Sequence, residues 1–284
     1  MRHLKKILLA LHIYQAVSFI DYITHGGSTR PWIVRVQTQE GDLKPFVVKL
    51  FTNRQIEQQH AVAKEVYCNL LAREFSLPVP EFALIDFSPA FIATLNGEQQ
   101  TRLRTCHAGL KYGSSLATDM PVFKHGLSAV FLKDYDLGSI FAFDNLAQNL
   151  DRGGLRDKPN LLINDNEFLL IDHEQTFPFA DDADADDSVV WSFEPTAWSA
   201  TYWAYQSHLL LPSLKKLRKG DKLSAFDTFQ ENLRHLDVTV LSRAAKELQR
   251  NGISTGNINR ITTYLAQTKT RHTEFTTLLK ILIA

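Results

Sequence analysis

A chain of 284 residues that is 44% hydrophobic and 22% charged has the make-up of an ordinary soluble globular protein, with length for one large or two small domains and an ample core. Lys plus Arg and Asp plus Glu both number 31, so no global field draws the chain to nucleic acid or to an acidic membrane surface. Two cysteines, Cys68 and Cys106, make neither a disulfide framework nor a metal site, and a reducing cytoplasm is the expected home.

Met1 to Val17 joins a basic start to an apolar run, as a secretion signal would. The run is short, His12 and Gln15 interrupt it, and no small-x-small cleavage site precedes Ser18, so secretion is not expected. No run of about 18 apolar residues is present to span a bilayer. Residues 13–23 carry the β-branched and aromatic side chains of a first strand, and Trp32 to Val36 reads as a second. Between them lies Thr24-His25-Gly26-Gly27-Ser28-Thr29-Arg30-Pro31, a turn whose glycines let backbone N–H groups approach an anion closely. His25-Gly26-Gly27 would also suit the oxyanion loop of an esterase, but the chain has no Gly-x-Ser-x-Gly elbow.

Pro45 to Phe51 reads as a buried strand with Lys49 in its middle. An ammonium there is costly without an anionic partner, so Lys49 calls for an acid. Ala63, Val66, Tyr67, Leu70 and Leu71 fall at helical spacing, Leu77-Pro78-Val79-Pro80 ends that helix, and Glu65 lies beside its apolar stripe, within reach of the strand. Phe82 to Ile85 and Ala90 to Ala93 read as strands that complete a sheet-rich unit near residue 98. Residues 99–130 give few signals.

The most informative stretch runs from Asp144 to His173. Asn160 to Ile163 and Phe168 to Ile171 are strand-sized apolar runs separated by Asn164-Asp165-Asn166-Glu167, a turn-rich tetrapeptide. The hairpin they predict brings Asn160 close to Asp172, with Asp151 upstream in a polar loop. A carboxylate to orient a hydroxyl and oxygen ligands for Mg²⁺ are what phosphoryl transfer requires. Asp181 to Asp187 places five carboxylates in seven positions without the Gly and terminal Glu of a calcium loop, and is expected to be a solvated, activation-type segment. Trp191 to Trp203 is aromatic-rich. Lys215, Lys216, Arg218, Lys219 and Lys222 surround Gly220 and suggest a helix C-terminus. Val238, Leu241, Ala245 and Leu248 form one helical stripe, stopped by Asn251-Gly252, and Ile258, Ile261 and Leu265 form another.

The order of these features, with Asp151-Arg152, Asn160 and Asp172 as its most specific part, resembles the HipA-like kinases, a bacterial branch of the protein-kinase-like fold related to the phosphoinositide 3-kinase group. The resemblance extends from Gly26 to about Arg271. It implies an α+β, bilobal fold, with a small sheet-rich lobe over residues 1–98 and a mainly helical lobe over 99–284. It also implies ATP- and Mg²⁺-dependent phosphorylation of protein serine or threonine. Asp151 would orient the acceptor hydroxyl, Asn160 and Asp172 would hold Mg²⁺, and Lys49, fixed by Glu65, would hold the phosphates together with Gly26, Gly27, Ser28 and Thr29. A protein substrate and a regulatory partner protein are expected, and a toxin-like role is possible within the family; neither direct nucleic-acid binding nor a membrane is expected. The N-terminal subdomain of the larger toxins is expected to be missing, and self-phosphorylation at Ser28 or Thr29 is expected to switch the enzyme off. Two departures stand out: Asn160 follows Asp151 by nine residues, about four more than the family spacing, through an inserted Gly153-Gly154-Leu155-Arg156, and Gly153 stands where a His is common. They leave open a kinase-like module that binds nucleotide or protein without transferring phosphate. A small-molecule or lipid kinase is the third reading.

Overall fold

The computed structural model describes residues 11–23, 30–124, 126–153, 158–182 and 190–284. The chain begins with β1 (Ile13–Tyr22), β2 (Trp32–Gln37) and β3 (Leu43–Lys49), antiparallel neighbours in which Tyr22 pairs with Trp32 and Trp32 with Val48. Period-two burial is clearest in β2: Trp32, Val34 and Val36 point inward while Arg35 and Gln37 are exposed. After α1 (Asn53–Glu57) and α2 (Ala61–Glu74) come β4 (Phe82–Asp86), α3 (Pro89–Ala93), α4 (Gly97–Arg104) and β5 (Lys111–Ser115). The strands are ordered β1-β2-β3-β5-β4, and a parallel pairing of Ile13 with Leu84 and Tyr14 with Ile85 closes them into a barrel. Trp32, Val34, Val36, Phe46, Val48, Ala83 and Ile85 form its core with Phe87, Phe91 and Leu95.

Ala90 to Ala93 belongs to α3 and not to a strand. Ser88 accepts a hydrogen bond from the Phe91 N–H at 3.2 Å and Pro89 occupies the first turn, so the cap and the preset proline φ outweigh the apolar run. The sheet unit expected to end near residue 98 takes its last strand, β5, from residues 111–115, and residue 98 falls inside α4.

α2 is buried on every side: each residue from Ala61 to Ala72 is buried, Lys64, Glu65 and Asn69 included. It lies between the outer face of the barrel and the rest of the chain, so the expected apolar stripe is only part of what it buries. Its end comes at Glu74, where Ser76 turns left-handed (φ 57°) and the Leu77 N–H returns to the Ala72 carbonyl at 2.8 Å.

The remaining chain is mainly helical: α5 (Ala129–Leu132), α6 (Leu137–Ala147), then the hairpin β6 (Leu161–Ile163) and β7 (Phe168–Leu170), then α7 (Pro195–Thr201), α8 (Leu211–Lys215), α9 (Lys219–Ser224), α10 (Asp227–His235), α11 (Thr239–Arg250), α12 (Ile258–Thr270) and α13 (His272–Leu282). Phe143, Trp198, Phe229, Leu248, Tyr264 and Phe275 lie in one continuous core with α2. Gly220 lies within α9, so the basic cluster spans the end of α8 and the start of a second short helix and is not one helix C-terminus. The fold is thus α+β, with a strand-rich N-terminal region closed as a barrel and a helical C-terminal part. Among the described residues no helix is long and apolar enough to cross a membrane.

Candidate active site

Lys49 ends β3 on the barrel's outer face, and α2 lies against that face. The ammonium meets Glu65 of α2, Asp172 just beyond β7, and Glu174 at 3.1 Å. Glu65 also accepts the His173 backbone N–H at 3.1 Å, which ties α2 to the segment carrying Asp172. One cation thus faces three carboxylates. Burial works against the charge on Lys49, but Asp172, Glu65 and Glu174 outweigh it and hold its pKa well above the ordinary lysine value. Burial also opposes the charge on Asp172 and Glu65; Lys49 prevails in both, lowering Glu65 and holding Asp172 at about 2. Glu174 goes the other way. Burial, reinforced by repulsion from Asp172 and Glu65, overcomes the pull of Lys49 and raises it to about 7. The cluster therefore carries more acid than one ammonium neutralises.

The second half of the site is the open end of the β6–β7 hairpin. Leu161 pairs with Leu170, so Asn160 lies opposite Ile171, immediately before Asp172. Both Asn160 (φ 46°) and Asp172 (φ 63°) have left-handed backbones, a region that Asn and Asp tolerate better than other residues with a Cβ. The Asn160 side-chain amide donates to the Asp151 carbonyl at 2.9 Å and to Asp151 Oδ2 at 3.4 Å. Lys158 Nζ lies 3.1 Å from the same Oδ2. Both contacts fall on one oxygen, so among the described residues Oδ1 is left for another partner.

The two sequence departures have physical causes here. Gly153 has φ 94°, and a Cβ on it would lie 2.7 Å from the Leu209 nitrogen, so neither His nor any other side chain fits. Gly153 and Lys158 exchange backbone hydrogen bonds, Gly153 N–H to Lys158 O at 2.6 Å and the reverse at 3.3 Å. This pairing sets Lys158 beside Gly153, so Lys158 and Asn160 are returned to Asp151 despite the nine-residue spacing.

Of the residues singled out from sequence, Lys49, Glu65 and Asp172 come together, and Asp151 and Asn160 meet at the adjoining hairpin end. Gly26, Gly27, Ser28 and Thr29 lie outside the described residues, as does most of the acidic run. Asp181, at the start of that run, pairs with Lys64 of α2 at 2.7 Å. Sequence reasoning missed Glu174, Lys158, Arg152 and His173. Glu174 had a signal, since Asp172-His173-Glu174 ends a strand with two acids, and Lys158 lies two residues before Asn160. Arg152 was noted only as a marker, yet it is fully buried, with Nε 2.7 Å from Asp144.

A model of the HipA-like kinase family matches residues 17–203, more than half of the chain. The protein belongs to the HipA-like kinases. Membership in this kinase family entails ATP and divalent-metal use in general terms. No curated protein matches the sequence. The crystal structure of a Helicobacter pylori proinflammatory kinase, CtkA, aligns over 93% of this chain and 98% of that one at 12% identity, with a TM-score of 0.47. In this HipA-like kinase, oxygens of Glu65, Asp172 and Glu174 lie within 4.8 Å of one another. An all-oxygen donor set with surplus negative charge suits a hard cation such as Mg²⁺.

Proposed function

We propose that this HipA-like kinase adopts the bilobal protein-kinase arrangement and transfers the terminal phosphoryl group of ATP to a serine or threonine hydroxyl of a protein. The observation carrying this reading is that Lys49 is joined to Glu65 and Asp172, while Asp151 and Asn160 meet at the end of the same hairpin. Lys49, held upright by Glu65, binds phosphate oxygens, together with the loop carrying Gly26, Gly27, Ser28 and Thr29. Asp172 and Asn160 are the Mg²⁺ ligands, with Glu174 as a third acid beside them; Asn160 spends its amide nitrogen on Asp151 and so offers its oxygen. The metal supplies charge neutralisation on the phosphate oxygens. Asp151 Oδ1 takes the hydrogen bond of the acceptor hydroxyl and orients it, and then its proton, while Lys158 fixes Oδ2 and adds a positive charge alongside. Protein substrate, regulatory partner and cytoplasmic location belong to the same proposal.

The test is incubation of the purified protein with γ-labelled ATP, Mg²⁺ and a cell extract, beside an Asp151→Asn control. Labelled protein that disappears in the control is the expected result. Label confined to a small molecule or lipid would overturn the protein acceptor, and no label in any fraction would leave a nucleotide- or protein-binding module.

A further inference from the structure

Arg152 is among the largest fully buried side chains in the molecule. A guanidinium taken out of water has to satisfy its donors with acceptors. Asp144, itself inaccessible, meets Nε at 2.7 Å, and is anchored in turn by Asn149 Nδ2 at 2.9 Å and His208 Nε2 at 2.9 Å. Among the described residues the other donors go to no second acid. One nitrogen donates to the Asn160 carbonyl and, at 3.3 Å, to the Ile171 carbonyl; the other reaches His173 Nε2 at 3.3 Å. His173 Nε2 therefore accepts, and its Nδ1 faces Glu65 at 3.8 Å.

These two carbonyls are mechanically specific. The Asn160 carbonyl belongs to the peptide that follows Asn160, and the Ile171 carbonyl to the peptide that precedes Asp172. Holding those planes fixes ψ of Asn160 and φ of Asp172, both of which have left-handed backbones. At this open end of the hairpin the ladder contributes one further bond, Ile171 N–H to Asn160 O at 3.2 Å. A buried ion pair that served only the core would have no reason to grip the ends of both strands beside the candidate metal ligands.

We infer that Arg152 is a positioning residue: by clamping the Asn160 and Ile171 carbonyls it sets the orientation of the metal ligands Asn160 and Asp172, and through His173 it joins them to the Glu65–Lys49 pair. The inference rests on the kinase reading above. Arg152→Lys keeps the charge beside Asp144 and loses the planar fork. Mn²⁺ binding in the presence of a non-hydrolysable ATP analogue, followed by electron paramagnetic resonance, should weaken by about 10-fold or more, in the range of ligand-orienting partners elsewhere. Analogue affinity without metal should stay near wild type. Leu248→Ala, in the core of α11, should lose stability without changing Mn²⁺ affinity. Wild-type Mn²⁺ affinity in Arg152→Lys, with Asp172→Ala having lost it, would overturn the positioning role and leave the kinase site standing; wild-type affinity in Asp172→Ala would overturn both. Should Arg152→Lys not fold, His173→Gln and amide exchange decide the matter. The Ile171 amide should then exchange faster while the Asn164 amide at the turn end is unchanged, and equal protection at Ile171 would sink the clamp.

Discussion

Replacing Gly153 by Ala puts the unusual loop under direct test. At φ 94°, any L-residue meets a backbone penalty, and the added methyl would lie 2.7 Å from the Leu209 nitrogen and 3.0 Å from both the Leu209 Cβ and the Ser207 carbonyl oxygen. The left-handed conformation costs about 1–2 kcal/mol and overfilling a packed site about 1–3 kcal/mol, so Gly153→Ala should lose about 2–5 kcal/mol. Against a typical total of about 5–15 kcal/mol, that is a large fraction. Urea unfolding followed by tryptophan fluorescence would measure it. Gly220→Ala is the matched control: a Cβ there meets nothing within 4 Å inside α9, and stability should hold or rise by up to about 1 kcal/mol. Because Gly153 follows Arg152, the same variant should also lose phosphoryl transfer. A loss below about 0.5 kcal/mol, no more than an ordinary surface change, would refute the claim that this position requires glycine.

Mg-ATP at millimolar concentration should raise the melting temperature, since a ligand bound only by the folded state stabilises it by RT ln(1 + [L]/Kd), and Asp172→Ala should shrink the shift mainly when metal is present; an unmoved melting curve for the parent counts against the site. Asp151→Asn should keep nucleotide affinity and lose transfer, and wild-type turnover in that variant would remove Asp151 as the base. Glu174, raised from an ordinary 4.5 to about 7 by burial and neighbouring acids, binds a proton more readily in the folded state than in the unfolded one. Stability from this group is therefore lost as pH rises between those values. Glu174→Gln removes the effect, so its urea midpoint should fall less than the parent's from about pH 5 to about pH 7; equal slopes would contradict the assignment.

Lys49 and Glu65 were legible because each carries its cue locally: a charge inside an apolar strand demands a partner, and the next helix offers one. The hairpin was legible because two apolar runs flank a turn-forming tetrapeptide. Three features had no such local cue. Burial of α2 on all sides depends on what packs around it, including α11, far along the chain. The pairing of Ile13 with Leu84 joins strands about 70 residues apart in sequence and leaves no periodic trace. The importance of Arg152 comes from four partners, Asp144, Asn160, Ile171 and His173, that no motif brings together. By contrast, α3 was misread although Ser88-Pro89 spelled out a helix start, because the apolar run was given more weight than its cap.

The parallel pairing of β1 with β4 has a consequence for recognition. A five-stranded open sheet would present two rows of unpaired peptide groups, and an extended peptide could extend it by strand addition. Here the two rows pair with each other along Ile13 to Gln15 and Leu84 to Asp86, while β1 from Ala16 to Tyr22 runs on beyond that pairing. Along that paired stretch a substrate or regulator has to be read through side-chain chemistry, and the closure there denies a second copy a template for edge-to-edge pairing.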